Sequence, residues 1–228
     1  MTDTKKTAGL CDKARDVCHD KARDERRGGV RGDPRAGRSI LIVGVGGQGT
    51  LLASRLIGFI AGAKGYDVKV SEVHGMSQRG GSVVTYVKYG PKVASPLIEP
   101  GEADAVVAFE LLEAVRWLPY LKPGGKVAAN TQKIDPMPVI TGAARYPEGL
   151  EETIRARCPD AAVLDALSIA SECGSRRAVN IVLLGAASAF MGFTEDEWLD
   201  GIRKVTPPKA LESNLLAFRR GASAAENI

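Results

Sequence analysis

The sequence predicts a doubly wound α/β fold, with a mostly parallel sheet and a helical C-terminal third. Short apolar runs of strand type alternate with segments of helical spacing from Ser39 onward. Glycines directly follow the first of these runs. Hydrophobic residues make up 44% of the 228 residues but aromatic residues only 5%, so aliphatic side chains form most of the core. That composition suits a parallel sheet covered by helices.

The first three elements predict a β-α-β unit. The run "SILIVGVGGQG" is an apolar strand that ends in glycines, and "TLLASRLIGFIAGAKG" has helical spacing and stops at Gly65. The next run, "YDVKVSEV", alternates as a strand does. We expect a right-handed crossover and neighbouring positions for these two strands.

The middle of the chain continues the alternation. We predict strands at "GSVVTYVKYG", "ADAVVAFE", "GKVAAN" and "AAVLDA", and helices at "LLEAVRWLPYL" and "EGLEETIRARC". The first of these helices should stop at Pro123-Gly124-Gly125. Residues 135–147 contain several prolines and predict an irregular crossover.

The last third predicts helices. The run "AVNIVLLGAASAFMG" is apolar almost all round, as in a buried or interface helix. Thr194 and Glu197 have the spacing of a capping box before "EDEWLDGIRKV". A final helix covers "ALESNLLAFRRG", with Gly221 as a possible C-cap. Strands and helices in this order predict a Rossmann-like architecture.

Charge and composition separate a tail from the body. Residues 1–38 hold 11 Lys and Arg against 7 Asp and Glu, and the remainder holds 20 of each. We therefore expect a disordered or partly helical tail at 1–38, a catalytic domain at 39–221 and a C-terminal tail at 222–228. A neutral body gives little reason to expect binding to nucleic acid.

The cysteine spacing argues against a metal site, and the hydropathy argues against a secreted or membrane protein. The four cysteines, Cys11, Cys18, Cys158 and Cys173, form no CxxC pair, so we expect no metal site. No hydrophobic leader and no apolar run long enough to cross a bilayer is visible. These features predict a cytoplasmic protein with reduced thiols and no membrane contact.

A glycine loop follows the first predicted strand, and its chemistry leaves two interpretations open. Gly44, Gly46 and Gly49 match GxGxxG, with Gly47 and Gln48 between them. Such a loop at a helix N-terminus can bind a phosphate, or it can be a tight turn that only allows close packing. Glu72 lies 23 residues beyond Gly49, near the spacing of a ribose-binding acid, which keeps a dinucleotide site possible.

The stretch "EVHGMSQRGG" at residues 72–81 contains more charged, polar and glycine residues than a surface loop requires. Gly80 and Gly81 permit close backbone approach, and the planar Arg79 suits a carboxylate or phosphate. His74 can transfer a proton, and Ser77 and Gln78 are neutral hydrogen-bonding groups. A dinucleotide site does not require these residues.

The two glycine-bearing segments carry a resemblance to a known family. "ILIVGVGGQGTLLASRLIG" and "GYDVKVSEVHGMSQRGGSVVTYVKYG" resemble the gamma domain of the 2-oxoacid:ferredoxin oxidoreductases, and within it the small subunit of indolepyruvate ferredoxin oxidoreductases. The similarity covers roughly residues 39–221. It implies oxidative decarboxylation of an arylpyruvate with coenzyme A to an aryl-acetyl-CoA. It also implies thiamine diphosphate, magnesium and iron–sulfur clusters on a large partner subunit, ferredoxin as acceptor, and a dimer of heterodimers.

The expected site combines both segments. We expect residues 72–81 to face the thiamine site of the large subunit, where Arg79 and His74 would help to bind the 2-oxoacid or coenzyme A. The alternative is a subunit interface in which Arg79 pairs only with the partner and His74 forms hydrogen bonds that order the loop. The loop at 44–49 would hold a phosphate-bearing group or simply pack. Asn130, Asn180 and Glu110 are further candidates for the same crevice. A free-standing NAD(P)-binding oxidoreductase and a purely structural dimerisation subunit remain alternatives.

Overall fold

The computed structural model describes residues 37–74 and 81–226, and only the backbone of His74. The strands are β1 (Arg38–Val45), β2 (Asp67–His74), β3 (Ser82–Gly90), β4 (Ala103–Ala108), β5 (Leu121–Asn130) and β6 (Ala162–Leu164). The helices are α1 (Thr50–Ala63), α2 (Leu111–Trp117), α3 (Met137–Ile140), α4 (Leu150–Arg157), α5 (Ala166–Glu172), α6 (Val179–Ala187), α7 (Glu195–Val205) and α8 (Leu211–Glu226). The predicted α/β fold with a helical C-terminal third is confirmed.

The six strands form one sheet in the order β2-β3-β1-β4-β5-β6. β1, β4, β5 and β6 pair in parallel, whereas β3 is antiparallel to both β1 and β2. The expectation that β1 and β2 are neighbours was wrong, because β3 lies between them. The connection from His74, at the end of β2, to Ser82, at the start of β3, is too short for a parallel crossover, so β2 and β3 form a hairpin.

Helices cover both faces of the sheet, and the side chains of β1 alternate between them. Ile40 and Ile42 pack with α1, α5, α6, α7 and α8, and Leu41 and Val43 pack with α2 and α4. All four side chains are fully buried. A strand buried on both faces reads as an unbroken apolar run, as this one does.

The helical third packs through an unusually close contact between α6 and α8. Every residue of α6 from Asn180 to Ala187 is buried. A Cβ on Gly185 would lie 2.1 Å from the carbonyl oxygen of Phe218, and one on Gly221 would lie 2.0 Å from that of Val182. Gly221 therefore lies within α8, in the contact with α6, and not at a C-cap. The two glycines let the helix backbones touch.

Two other predicted helix boundaries have different outcomes. The capping box at Thr194 and Glu197 is present before α7, as predicted. Helix α2, however, ends at Trp117, and Pro123-Gly124-Gly125 lies inside β5. The register between β4 and β5 shifts between Ala103 and Ala105, which accommodates this tripeptide as an irregularity in the strand. Among the helices of the described residues, none has the length and apolarity to cross a membrane.

Candidate functional site

The carboxyl edge of the sheet brings together most of the predicted site residues that the structure describes. β1, β4, β5 and β6 all end there, and β2 does too, because β3 runs antiparallel between β1 and β2. From β1 the chain continues into α1 on one face of the sheet, and from β4 it continues into α2 on the other. Ligands bind in the crevice at such a switch point in open α/β sheets.

The glycine loop joins β1 to α1, and its glycines serve different purposes. A Cβ on Gly44 would lie 2.7 Å from Oε1 of Gln48 and 2.9 Å from Cβ of Phe109, so Gly44 permits internal packing. Gly49 has φ +89° and lies against the Asn180 amide. Gly47 has φ +100° with open space where a side chain would be. Only glycine adopts such dihedrals without strain.

Several backbone N–H groups at the N-terminus of α1 lack an acceptor among the described residues. The backbone N–H of Gly46 donates to the carbonyl oxygen of Gly81 at 2.9 Å. The N–H groups of Gly47, Gly49 and Thr50 have no acceptor within the described part of the chain. Free amides at a helix N-terminus attract an anionic group, so this loop can take a phosphate or a carboxylate.

Gln48 connects the glycine loop to the ends of β4 and β5. Its Oε1 accepts from the backbone N–H of Val45 at 2.7 Å, and its Nε2 donates to the carbonyl of Phe109 at 2.9 Å and to Oε1 of Gln132 at 3.2 Å. All three of these contacts are made within the chain. Gln48 therefore fixes the conformation of the glycine loop against the ends of β4 and β5.

The two asparagines singled out in the sequence lie at the same edge. Asn130 is fully buried; its Oδ1 accepts from the backbone N–H of Ala166 at 3.1 Å, and its Nδ2 donates to Gln132 at 3.3 Å. The Nδ2 of Asn180 donates to the carbonyl of Gly49 at 3.5 Å. Both side chains tie an adjacent helix N-terminus to the crevice.

Glu110 is the N-cap of α2 and also bonds to the chain at Ile134 and at Tyr146. It is buried, and its carboxylate accepts from the backbone N–H groups of Glu113 at 2.9 Å and Ile134 at 3.1 Å. The hydroxyl of Tyr146 also donates to it. Burial, followed by this hydrogen bond, raises the pKa of Tyr146. Glu110 thus fixes the connection after β5 over the edge of the sheet.

Glu113 is a second buried carboxylate, one turn further along α2. The hydroxyl of Ser82 donates to its Oε2 at 2.6 Å, and Arg116 donates to its Oε1 at 2.6 Å. Burial raises the pKa of Glu113, while the hydrogen bond from Ser82 and the charge of Arg116 lower it and nearby Glu110 raises it further. The carboxyl group therefore joins α2 to the first residue of β3.

The second predicted loop is described only at its ends. Glu72, on β2, accepts a hydrogen bond from the hydroxyl of Ser54 on α1 at 3.3 Å, so its carboxylate faces that helix. His74 ends β2, and Gly81 is tied to the glycine loop. Ser77, Gln78, Arg79 and Gly80 lie outside the described residues, as does the side chain of His74.

Several residues at the edge were not singled out from the sequence. They are Ser82, Glu113, Gln132 and Tyr146. The only local signal among them was the spacing of Glu110 and Glu113 at the start of a predicted helix. The other residues come from distant segments that only the folded sheet brings together.

The described residues contain no metal-binding cluster. Within 37–74 and 81–226, no group of three or more His, Cys, Asp or Glu side chains could hold a metal ion. Cys158 and Cys173 are buried free thiols, and burial is the main cause that raises the pKa of each. The described edge offers hydrogen bonding by amides and carboxylates.

Solved structures with the same fold are known. The gamma subunit of a keto/oxoacid ferredoxin oxidoreductase from Geobacter sulfurreducens has a TM-score of 0.62 at 21% identity, covering 84% of this chain and 99% of that chain. The pyruvate oxidoreductase subunit PORC from Thermotoga maritima has a TM-score of 0.62 at 22% identity, covering 82% and 96%. At these identities the likeness shows the fold.

Sequence comparison is more specific. The indolepyruvate oxidoreductase subunit IorB of Thermococcus kodakarensis is 42% identical over 196 residues, which are 83% of this chain and 96% of that protein. The subunit of the same name from Methanothermobacter thermautotrophicus is 39% identical over 191 residues, or 82% and 97%. The sequence model described as pyruvate ferredoxin/flavodoxin oxidoreductase matches residues 39–224. The chain therefore belongs to the pyruvate ferredoxin/flavodoxin oxidoreductase family.

Proposed function

We propose that the chain is the small subunit of an indolepyruvate:ferredoxin oxidoreductase. The observation that carries this proposal is the similarity to the IorB subunits, at 42% and 39% identity over 96% and 97% of their length. A match of this extent includes the glycine loop and both strands that flank residues 75–80. Pyruvate and ketoisovalerate relatives are more distant, at 27% identity.

The proposed reaction joins decarboxylation to two one-electron transfers. An arylpyruvate loses carbon dioxide, the remaining acyl carbon forms a thioester with coenzyme A, and two oxidised ferredoxins each take one electron while the thiol proton is released. Thiamine diphosphate with magnesium, on a large partner subunit, supplies the carbanion chemistry, and iron–sulfur clusters there carry the electrons. The present chain would be inactive without that partner.

The role of this chain is to complete the substrate site from its carboxyl edge. The free amides of Gly47, Gly49 and Thr50 would hold an anionic group of a substrate or of coenzyme A. Arg79 would bind a carboxylate or phosphate, and His74 would hold or move a proton beside it. Glu72, Ser77, Gln78, Gly80 and Gly81 would shape this part of the site.

The proposed assembly is a dimer of heterodimers in the cytoplasm, with ferredoxin reaching the complex through the large subunit. Its test is co-expression of this chain with a thiamine and iron–sulfur subunit from the same source. The assembled complex should reduce ferredoxin with indolepyruvate and coenzyme A, and the isolated chain should not. A chain that remains monomeric beside that subunit and binds NAD would refute the proposal.

Arg79 is tested in the assembled complex by replacement with Ala and with Lys. Loss of a charge-assisted bidentate contact costs about 1.5–3 kcal/mol, or roughly 10- to 150-fold in kcat/KM. Arg79→Lys should recover only part of it, since an ammonium cannot form the planar fork. Arg203→Ala is the matched control, because Arg203 is exposed on α7 and pairs with exposed Asp200.

One observation favours a second candidate, a purely structural subunit. Gly44 and Gly49 both lie against side chains of the same protein, so their lack of a side chain is explained by internal packing alone. If Arg79→Ala leaves turnover and the KM for both indolepyruvate and coenzyme A unchanged in the complex, this structural role replaces the catalytic one.

A further inference from the structure

The burial of Glu113 is not explained by the stability of helix α2 alone. Its side chain is on α2, in the apolar layer beside Leu111 and Ala114, and the residue is only 4% exposed. A carboxyl group in such surroundings loses its hydration and is tolerated only where donors replace it. It has two, the Ser82 hydroxyl and the Arg116 guanidinium, each at 2.6 Å.

Helix stability does not account for this arrangement. Glu110 already caps α2 by accepting from the backbone N–H of Glu113 at 2.9 Å. A first-turn acid gains from the helix dipole while it remains exposed, so the dipole does not require burial. Arg116 lies on the same helix as Glu113, so their ion pair is internal to α2. The contact that joins Glu113 to another element is the one with Ser82, at the exposed start of β3.

Ser82 lies where the sheet meets the glycine loop. It is the first residue of β3 and pairs with Val45, the last residue of β1. One residue earlier, the carbonyl of Gly81 accepts from the backbone N–H of Gly46 at 2.9 Å. At the start of β3, the side chain of Ser82 thus bonds to α2, and the backbone of Gly81 bonds to the glycine loop.

We propose that Glu113 is a positioning residue of the family site: through Ser82 it sets the place of Gly81 and, with it, of the glycine loop at Gly46. This inference rests on the proposed function for its kinetic consequence. The contact chain Glu113–Ser82–Gly81–Gly46 links α2 to this loop through β3, beside a second polar route from Leu111 through Gln132 to Gln48. Removing the Ser82 hydroxyl releases the strand start from α2 while its backbone pairing with Val45 remains, and it creates no cavity in the core because Ser82 is exposed.

The test compares the wild-type full chain with four single variants and with the double variant Ser82→Ala/Glu113→Gln. Ser82→Ala and Glu113→Gln weaken the contact, and Ser82→Thr keeps the hydroxyl on a residue that suits a strand. Glu152→Gln is the matched control, because Glu152 is exposed on α4. Amide hydrogen exchange at Gly46, measured in the isolated chain by NMR, reports the position of the loop independently of turnover.

We expect faster exchange at Gly46 in Ser82→Ala and Glu113→Gln, and wild-type exchange in Ser82→Thr and the control. In the assembled complex, kcat/KM for one co-substrate should fall by on the order of ten-fold in the first two variants, with the other KM unchanged. The double variant should lose no more than either single one. Wild-type exchange at Gly46 in Ser82→Ala would overturn the proposal, and so would losses that only follow the melting temperature. If the wild-type complex shows no activity with indolepyruvate, the proposed function fails while the exchange result still decides the position of the loop.

Discussion

The contact between α6 and α8 makes a quantitative prediction about Gly221→Ala. A Cβ at this position would lie 2.0 Å from the carbonyl oxygen of Val182, whereas real Cβ contacts are essentially never below 3.0 Å. The obstacle is helix backbone, which cannot turn aside as a side chain can. The two helices would have to separate by about an ångström, and a gap of that size forfeits a quarter to a half of each dispersion contact between them.

The expected cost follows from two opposing effects. Overpacking of a well-packed core costs about 3 kcal/mol at the upper end of the usual range. Alanine offsets up to about 1 kcal/mol of this, because it is the better helix former. The net loss in free energy of unfolding is about 2 kcal/mol, which corresponds to a fall of about 4–8 °C in Tm for a domain of this size.

Urea unfolding followed by circular dichroism measures this loss, with Trp198 fluorescence as a second probe, since Trp198 is buried against Phe218 at 5.4 Å between ring centroids. Gly62→Ala is the matched control. Gly62 is exposed inside α1 with nothing within 4 Å of an added Cβ, so this change should stabilise by about 0.5–1 kcal/mol. If Gly221→Ala is as stable as the wild type, the inferred close approach of the helices is incorrect.

Three further predictions concern single residues. Thr194→Ala should cost about 1 kcal/mol in unfolding free energy, because it removes the capping box with Glu197 at the start of α7; Thr194→Ser should retain most of it. Cys158 is 2% exposed and its pKa is raised chiefly by burial, so iodoacetamide at pH 8 should label its peptide far more slowly in the native than in the urea-unfolded chain. Equal rates would show that the thiol is accessible. The pKa of Glu113 is raised by burial, so the native state binds its proton more tightly than the unfolded state does. Protonated Glu113 therefore stabilises the native state fully at a pH below its ordinary pKa of 4.5, and this stabilisation is lost as the pH rises through the folded pKa. Glu113→Gln should remove that part of the pH dependence in urea unfolding, and an identical profile would contradict the assignment.

Most elements of the fold could be predicted because their patterns are local. β1 is an uninterrupted apolar run, and the capping box before α7 is readable from two residues. The direction of β3 was missed because an alternating strand looks the same in either direction. Its one clue was the short connection from His74 to Ser82, since a parallel crossover needs a dozen residues or more.

The candidate site was only partly predictable, for a related reason. Glycines after a strand announce a loop at the carboxyl edge, and Asn130 at the end of a strand could be assigned to the same crevice. Gln132 and Tyr146 could not, because each acts through a partner that is distant in sequence: Gln48 for the first and Glu110 for the second. Such pairs arise from strand order, which the sequence pattern does not contain.

The antiparallel position of β3 has a consequence for the segment that connects it to β2. A crossover would have tied the segment after β2 to a helix and its packing. The hairpin instead joins two paired residues, His74 and Val83, across one edge of the sheet. The two ends of the segment 75–80 are therefore set by backbone pairing within the sheet, and not by the packing of a helix. The distance between these two ends is fixed by the ladder itself, so a change of side chain elsewhere on β2 or β3 leaves it in place.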